Sequence, residues 1–329
     1  MAYATVKEID ASAIPIIDVS PLFEWDNGEK TVGRQLVECV QRIGFFYIKN
    51  HGVDQNLIDQ LFGQAGTFFK TPLEQKNQIR VKDYHRGFLP IGEATMSGAK
   101  NNDYKESFVW GWDVKAGDPD IEQSDWVLGP NRWPDFQPDM SGVLTNYIET
   151  VNALGVRLLR AFAAGMDLDH DHFVRQFSKP LTRAAVVYYP PQSEDMGENQ
   201  FGVAPHTDYG CITLVYQDAT GGLQVKDRGG DWLTAHPVPE TFIVNVGDLL
   251  HRWSNNRLIS NPHRVINASG RERLSSAVFI DPDWDTVIEP VVGPGETSHY
   301  PAIKCAEYIH AIYQKSFAYR GGSTDKQKD

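Results

Sequence analysis

Apolar positions follow two different periods along this 329-residue chain, and the change between them marks its organisation. In the first half, apolar residues recur at helical spacing in "KTVGRQLVECVQRIG" (30–44) and "DQNLIDQLFGQAGTFFK" (54–70). The first helix is predicted to end on Gly44 as a C-cap, and the second to start from Asp54 as an N-cap. Short strands are expected in "IPIIDVS" (14–20), where Pro15 is tolerated near the start, and in "FFYIKN" (45–50). A polar, Gly-rich stretch then runs to about residue 135, containing "HRGF" (85–88) and "DYKESFVWG" (103–111). It reads as irregular with short strands. Residues 139 to 175 read as a helical block, because i, i+3, i+4 apolar positions repeat through "VLTNYIETVNALGVRLLRAFAAGM".

From residue 181 the pattern becomes one of short β-rich runs: "RAAVVYYP", "CITLVYQD", "GLQVKD", "DWLTAHPV", "TFIVNVGD", "HRVIN" and "RLSSAVFIDP", separated by Gly, Asp, Asn and Pro turns. Many short strands at this spacing argue for a sandwich or barrel. The predicted fold class is therefore α+β and mainly β: a double-stranded β-helix, or jelly roll, with flanking helices. "YIHAIYQKSFA" (308–318) closes the chain as a helix, followed by a disordered tail. The expected divisions are a mixed α/β region (1–135), a helical block (136–180), the jelly-roll core (181–318) and the tail (319–329).

Composition excludes more than it identifies. With 41% hydrophobic and 22% charged residues the chain is globular rather than disordered. A net charge of -12 without a Lys/Arg block makes nucleic acid and anionic membranes poor partners. Cys39, Cys211 and Cys305 are widely spaced and odd in number, which speaks against a disulfide framework. The start "MAYATVKEID" lacks the basic and apolar regions of a signal peptide, and no run is long enough to span a bilayer. A cytoplasmic protein with no obligate protein partner evident is the expectation.

Chemistry concentrates in "PHTDYG" (205–210). On a strand, residues two apart share a face about 6.6 Å apart, so His206 and Asp208 are expected to converge on one ion while Thr207 points away. Gly210 is expected to allow a bend after them. A third ligand must come from elsewhere. Most of the ten histidines lie in polar or terminal segments, which leaves His251 and His263 in the β region. His251 follows "NVGDLL", read as a tight turn leading into a strand; His263 in "NPHRVI" can begin a strand facing the same interior and is preferred. Two histidines and one carboxylate form the facial triad of non-haem Fe(II) oxygenases, and the lack of a neighbouring thiolate argues against structural zinc. Further on, Arg273 and Ser275 share a strand face. A guanidinium plus a hydroxyl is a good grip for a carboxylate. Phe279 continues that face as a candidate pocket wall, and "VVYYPP" adds Tyr189 with Val187 on its face.

Taken together, His206-x-Asp208, His263 and Arg273-x-Ser275 resemble the isopenicillin N synthase-like family of Fe(II)/2-oxoglutarate-dependent dioxygenases. The phrases "HTDYGCITLVYQD", "GGLQV", "TFIVNVGDLLHRW" and "RLSSAVFIDP" match it too, as do "IPIIDVS", "GFFYIKNHGV" and "HRGF" in the first half. The resemblance covers roughly residues 14 to 318. It implies Fe(II) on His206, Asp208 and His263, and 2-oxoglutarate on Arg273 and Ser275 with the Tyr189 hydroxyl. Many relatives have Asn where this chain has Val187. It also implies O2 as co-substrate, ascorbate as a candidate reductant, and oxidative decarboxylation to succinate and CO2 coupled to hydroxylation, desaturation or cyclisation of a small molecule. Two variants share the pattern: a 2-oxoglutarate-independent oxidase of the isopenicillin N synthase type, and an ethylene-forming enzyme.

Overall fold

The computed structural model describes residues 14–24, 27–82, 84–94, 101–125, 127–192 and 200–316; the predicted tail (319–329) lies outside them. Strands β1 (Ile16–Asp18) and β2 (Phe45–Lys49) pair in parallel, joined by helix α1 (Gly28–Arg42). Past α1 the chain turns through Gly44 at φ 74°, as its C-cap role requires. Helix α2 (Gln55–Lys70) begins at Asp54, whose carboxylate accepts from the Asn56 N–H at 2.9 Å. The stretch expected to be irregular holds helices α3 (Leu73–Lys76) and α4 (Pro119–Gln123) and strands β3 (Gly87–Leu89) and β4 (Glu106–Gly111).

Helix α5 (Asp139–Gly165) is shorter than the predicted block. The chain leaves the helix at Asp167, with φ 57°, and the polar run beyond forms turns such as the Asp169 carboxylate accepting from the Asp171 N–H at 2.9 Å. Aspartates bond their own backbone too readily to extend a helix.

The second half supplies β5 (Arg183–Tyr189), β6 (Val203–His206), β7 (Ile212–Gln217), β8 (Leu223–Lys226), β9 (Trp232–Thr234), β10 (Phe242–Val246), α6 (Asp248–Trp253), β11 (His263–Val265) and β12 (Arg273–Ile280). A small hairpin, β13 (Val287–Ile288) with β14 (Ile303–Lys304), precedes helix α7 (Cys305–Ser316). Eight strands form the major sheet in the order β1-β2-β10-β7-β12-β5-β4-β3, and four form the minor sheet in the order β6-β11-β8-β9. The two sheets face each other across a cavity lined from both sides, which is the expected jelly roll.

Strand β12 shows how the layers are specified. Its even positions, Leu274 excepted, are buried, and Val278 and Ile280 are fully so. Gly155 of α5 lies against Ile280, so the long helix covers the outer face of the sheet. The odd positions Arg273, Ser275, Ala277 and Phe279 line the cavity instead. One strand thus carries a hydrophobic core on one face and a functional surface on the other.

Candidate metal centre

His206 is the last residue of β6, and His263, the first of β11, is its direct antiparallel partner. Cross-strand pairing therefore brings together side chains 57 positions apart in sequence, with ring centroids 4.2 Å apart. Asp208 lies beyond the end of β6, not within a strand as its spacing suggested. What aims it is the loop that follows. The Asp208 carbonyl accepts from the Asp248 N–H at 2.8 Å, and those of Tyr209 and Gly210 accept from the Leu249 N–H at 3.2 and 3.0 Å. The loop is thus pinned to the first turn of α6, whose amides have no partner within their own helix.

Gly210 lies in the expected bend, at residues 209–211, and serves a second purpose there. A side chain there would meet the Asp281 carboxylate, since a Cβ would sit 2.1 Å from Oδ1. Asp281 needs that closeness to accept from the Cys211 N–H at 3.1 Å.

One ligand atom from each of His206, Asp208 and His263 lies within 4.8 Å of the others. Both imidazole Nε2 atoms stand 3.8 Å from Asp208 Oδ1. The other carboxylate oxygen, Oδ2, accepts from Thr213 Oγ1 at 2.5 Å and Asn245 Nδ2 at 2.7 Å. Oδ1 is thereby left facing the two imidazoles. On His206, Nδ1 stands 2.8 Å from the Ala204 carbonyl and can only donate to it, which leaves Nε2 with its lone pair. The His263 ring is set by packing, edge-on to Phe45 at 5.4 Å. Burial drives the His206 pKa down to about 3, and the neighbouring His263 pushes the same way. Burial opposes ionisation of Asp208, but the two imidazoles, Thr213 and Asn245 outweigh it and hold the carboxyl below its ordinary range. Two imidazole nitrogens beside a carboxylate oxygen are the donor set a borderline divalent cation takes, so these residues fit Fe(II).

The cavity at this centre has a volume of about 150 Å³. Arg273, 1% exposed, lies on its wall with Nη1 donating to Ser275 Oγ at 3.0 Å and Nη2 to Gln217 Oε1 at 3.1 Å. Its Nε donates to the Gly221 carbonyl, and its guanidinium stacks 4.5 Å from the Tyr189 ring centroid. Val187 and Phe279 also line the cavity, so His206, Asp208, His263, Arg273, Ser275, Tyr189, Val187 and Phe279 all reach it. His251 does not: it belongs to helix α6 and its Nδ1 is 2.7 Å from the Leu258 carbonyl.

Sequence reasoning missed the supports and half of the wall. Thr213 was visible only as a polar interruption of the apolar run "CITLVY"; Asn245 stood out as the start of the Asn245-Val-Gly-Asp248 phrase that the resemblance rests on, but with no role read for it. Arg183, Lys105, His85 and Tyr313 line the cavity and carried no local signal that separated them from surface residues.

Comparison with known proteins agrees with this geometry. The family model described as 2OG-Fe(II) oxygenase superfamily matches residues 182–282, and that of the non-haem dioxygenase N-terminal region matches 14–136. The 2-oxoglutarate-Fe(II) type oxidoreductase hxnY of Emericella nidulans is 33% identical over 96% of this chain and 95% of its own. A homoarginine-6-hydroxylase of Oryza sativa is 33% identical, over 86% of this chain and 89% of its own. A full-length Neurospora crassa protein, solved in complex with alpha-KG and thymine, superposes with a TM-score of 0.80 at 29% identity, covering 92% of this chain and 96% of that one.

Proposed function

The chain belongs to the 2OG-Fe(II) oxygenase superfamily and is an Fe(II)/2-oxoglutarate-dependent dioxygenase, and from that premise we propose that His206, Asp208 and His263 are its iron ligands and that Arg273, Ser275 and Tyr189 receive 2-oxoglutarate. The observation that carries the assignment is the convergence of three ligand atoms within 4.8 Å in the cavity that also holds a buried Arg–Ser pair.

Bound Fe(II), with 2-oxoglutarate and O2, supplies oxidative decarboxylation to succinate and CO2 coupled to attack on a substrate C–H bond. The chain's own contribution is placement. Thr213 and Asn245 hold Asp208 ionised, with Oδ1 presented. The Ala204 carbonyl keeps the His206 proton on Nδ1, so Nε2 stays available at neutral pH. Arg273, fixed from behind by Gly221 and Gln217, can place parallel N–H groups on the distal carboxylate of 2-oxoglutarate while Ser275 adds a hydroxyl. Because the guanidinium is already held, little side-chain freedom is lost on binding. Val187, Ala277, Val215 and Phe279 form apolar wall that excludes water from the reacting centre.

The substrate is a small molecule, in keeping with a cavity of about 150 Å³. Among the described residues no helix is long and apolar enough to cross a membrane. A reducing, cytoplasmic setting suits Cys39, Cys211 and Cys305, which are all free thiols.

The test is anaerobic titration of the Fe(II)-loaded protein with 2-oxoglutarate, following the visible charge-transfer band of the chelate, with Arg273→Ala in parallel. The expected result is a saturable band whose half-saturation rises at least about tenfold in the variant. A wild-type protein that binds iron and gives no band would overturn the assignment.

A further inference from the structure

The polar groups of the cavity beyond the co-substrate end point to the substrate. Strand β12 places Arg273 against Tyr189 at one end of β5 and Phe279 against Arg183 at the other. Arg183 thus stands six residues, about 20 Å, along the strand from the Arg273 end. Phe279 also pairs with Thr213, which holds Asp208, so the Arg183 end is where the carboxylate of the metal centre is anchored.

Arg183 lines the cavity yet is only 5% exposed. Its guanidinium sits 4.9 Å from the Phe279 ring centroid and 5.6 Å from that of Tyr313. Nη1 donates to Asp281 Oδ2, and among the described residues Asp281 is the acceptor this guanidinium bonds. Asp281 does not line the cavity; its other oxygen holds the Cys211 N–H. The cation is therefore in front and its counter-charge behind. A guanidinium has five N–H donors in a fixed fork, and one pairing leaves the others to be matched. Lys105 repeats the arrangement. It lines the cavity and is backed by Asp103 at 3.2 Å, whose Oδ1 accepts from the Ala204 N–H. The one carboxylate among the described lining residues is Asp208, which the metal engages.

The wall is thus rich in donors and poor in acceptors. A neutral hydrocarbon bound there would leave buried N–H groups unmatched, which is costly. Both ion pairs are neutral overall, so the attraction is directional hydrogen bonding, strongest for a planar carboxylate. We infer that Arg183 anchors a carboxylate of the substrate, on the side of the metal centre away from Arg273. The substrate is then a small carboxylic acid whose body packs on Phe279 and Ala185. This inference rests on the proposed function.

The test uses the Fe(II)-loaded protein, anaerobic and saturated with 2-oxoglutarate, and three probe pairs: phenylacetate, phenylpropionate and hexanoate, each against its primary amide. Calorimetric titration is expected to show acids binding about ten- to hundredfold tighter than amides in at least one pair. Arg183→Gln, which can still donate to Asp281, is expected to abolish that preference, and Arg183→Lys to restore part of it. The chelate band is expected unchanged in both variants. Equal affinity for acid and amide, or no acid binding at all, would overturn the inference while an intact wild-type band leaves the proposed function standing. Loss of the band in Arg183→Gln would overturn it too, by showing that Arg183 acts through the metal-ligand loop. A wild-type protein without the band fails the underlying reading itself.

Discussion

An asparagine within the fully buried strand β10 is a costly choice, and Asn245 is justified by what its amide holds. Its Nδ2 donates to Asp208, while its Oδ1 finds no partner among the described residues. Orienting a metal ligand is the function left for it. Asn245→Ala is therefore expected to weaken divalent-metal binding about ten- to hundredfold with the fold retained, measured by Co(II) titration alongside near-ultraviolet circular dichroism. Unchanged affinity would mean that Thr213 suffices. At this scale the sequence was informative wherever chemistry demands a rare residue type. A histidine and an aspartate two apart, a distal histidine and an Arg-x-Ser pair have few other reasons to occur together. Thr213 and Asn245 are common residue types whose role exists only through a contact with Asp208, 5 and 37 positions away.

The elements around the site are set by local fits that the pattern of apolar residues hides. Gly210 is one. An alanine there places its Cβ 2.1 Å from Asp281 Oδ1, in a loop already pinned to α6. Gly210→Ala is expected to cost about 1–3 kcal/mol and to weaken metal binding with it. Gly142, in α5, gives the contrast, because a Cβ added there would meet no atom within 4 Å. Gly142→Ala should stabilise by about 0.5–1 kcal/mol. Urea unfolding with and without Co(II) separates the two effects. A second local fit is His51, in the turn between β2 and α2. Its Nδ1 accepts from the Val53 N–H at 3.2 Å and its ring meets Phe242 edge-on. Burial lowers its pKa from 6.5, against the opposing pull of Glu240. Well above pH 6.5 the group is neutral in both states and stability is insensitive to it. As pH falls below 6.5 the unfolded chain binds a proton that the folded chain excludes, so stability drops by at most about 1.4 kcal/mol per pH unit. His51→Asn keeps an acceptor for Val53 and does not titrate. The stability lost between about pH 7 and pH 5.5 is expected to be smaller in the variant, and equal losses would discount His51. Of the elements, long amphipathic helices and alternating strands were legible. Helix α6 was not, because the six residues "DLLHRW" are too few to show a helical period.

At the scale of the whole molecule, the jelly roll could be read from the rhythm of short strands, but its cavity could not. Part of the cavity wall, Ser107 and Val109, arrives through β4, which pairs Glu106 with Tyr188 across 82 positions of sequence. No local pattern encodes such a pairing, so the place of Lys105 and of the segment around His85 against the site could not be read from the sequence. The same long-range closure predicts how the protein responds to its ligands. The metal ligands come from the minor sheet and the loop after it, whereas Arg273 and Ser275 come from the major sheet. Under the proposed assignment, iron alone would tie together β6, β11 and one loop, and 2-oxoglutarate would bridge that centre to the opposite sheet. Stabilisation should therefore be ordered. A divalent metal at a hundredfold excess over its dissociation constant adds about 2.7 kcal/mol, and 2-oxoglutarate adds a further increment only when metal is present. A chelator should remove both increments together. Arg273→Ala should keep the first and lose most of the second. Differential scanning calorimetry of the four states, apo, metal, 2-oxoglutarate and both, checks this directly. If 2-oxoglutarate stabilises the metal-free protein as strongly as the loaded one, the two sheets are not joined through a common chelate, and the division of labour between them does not hold.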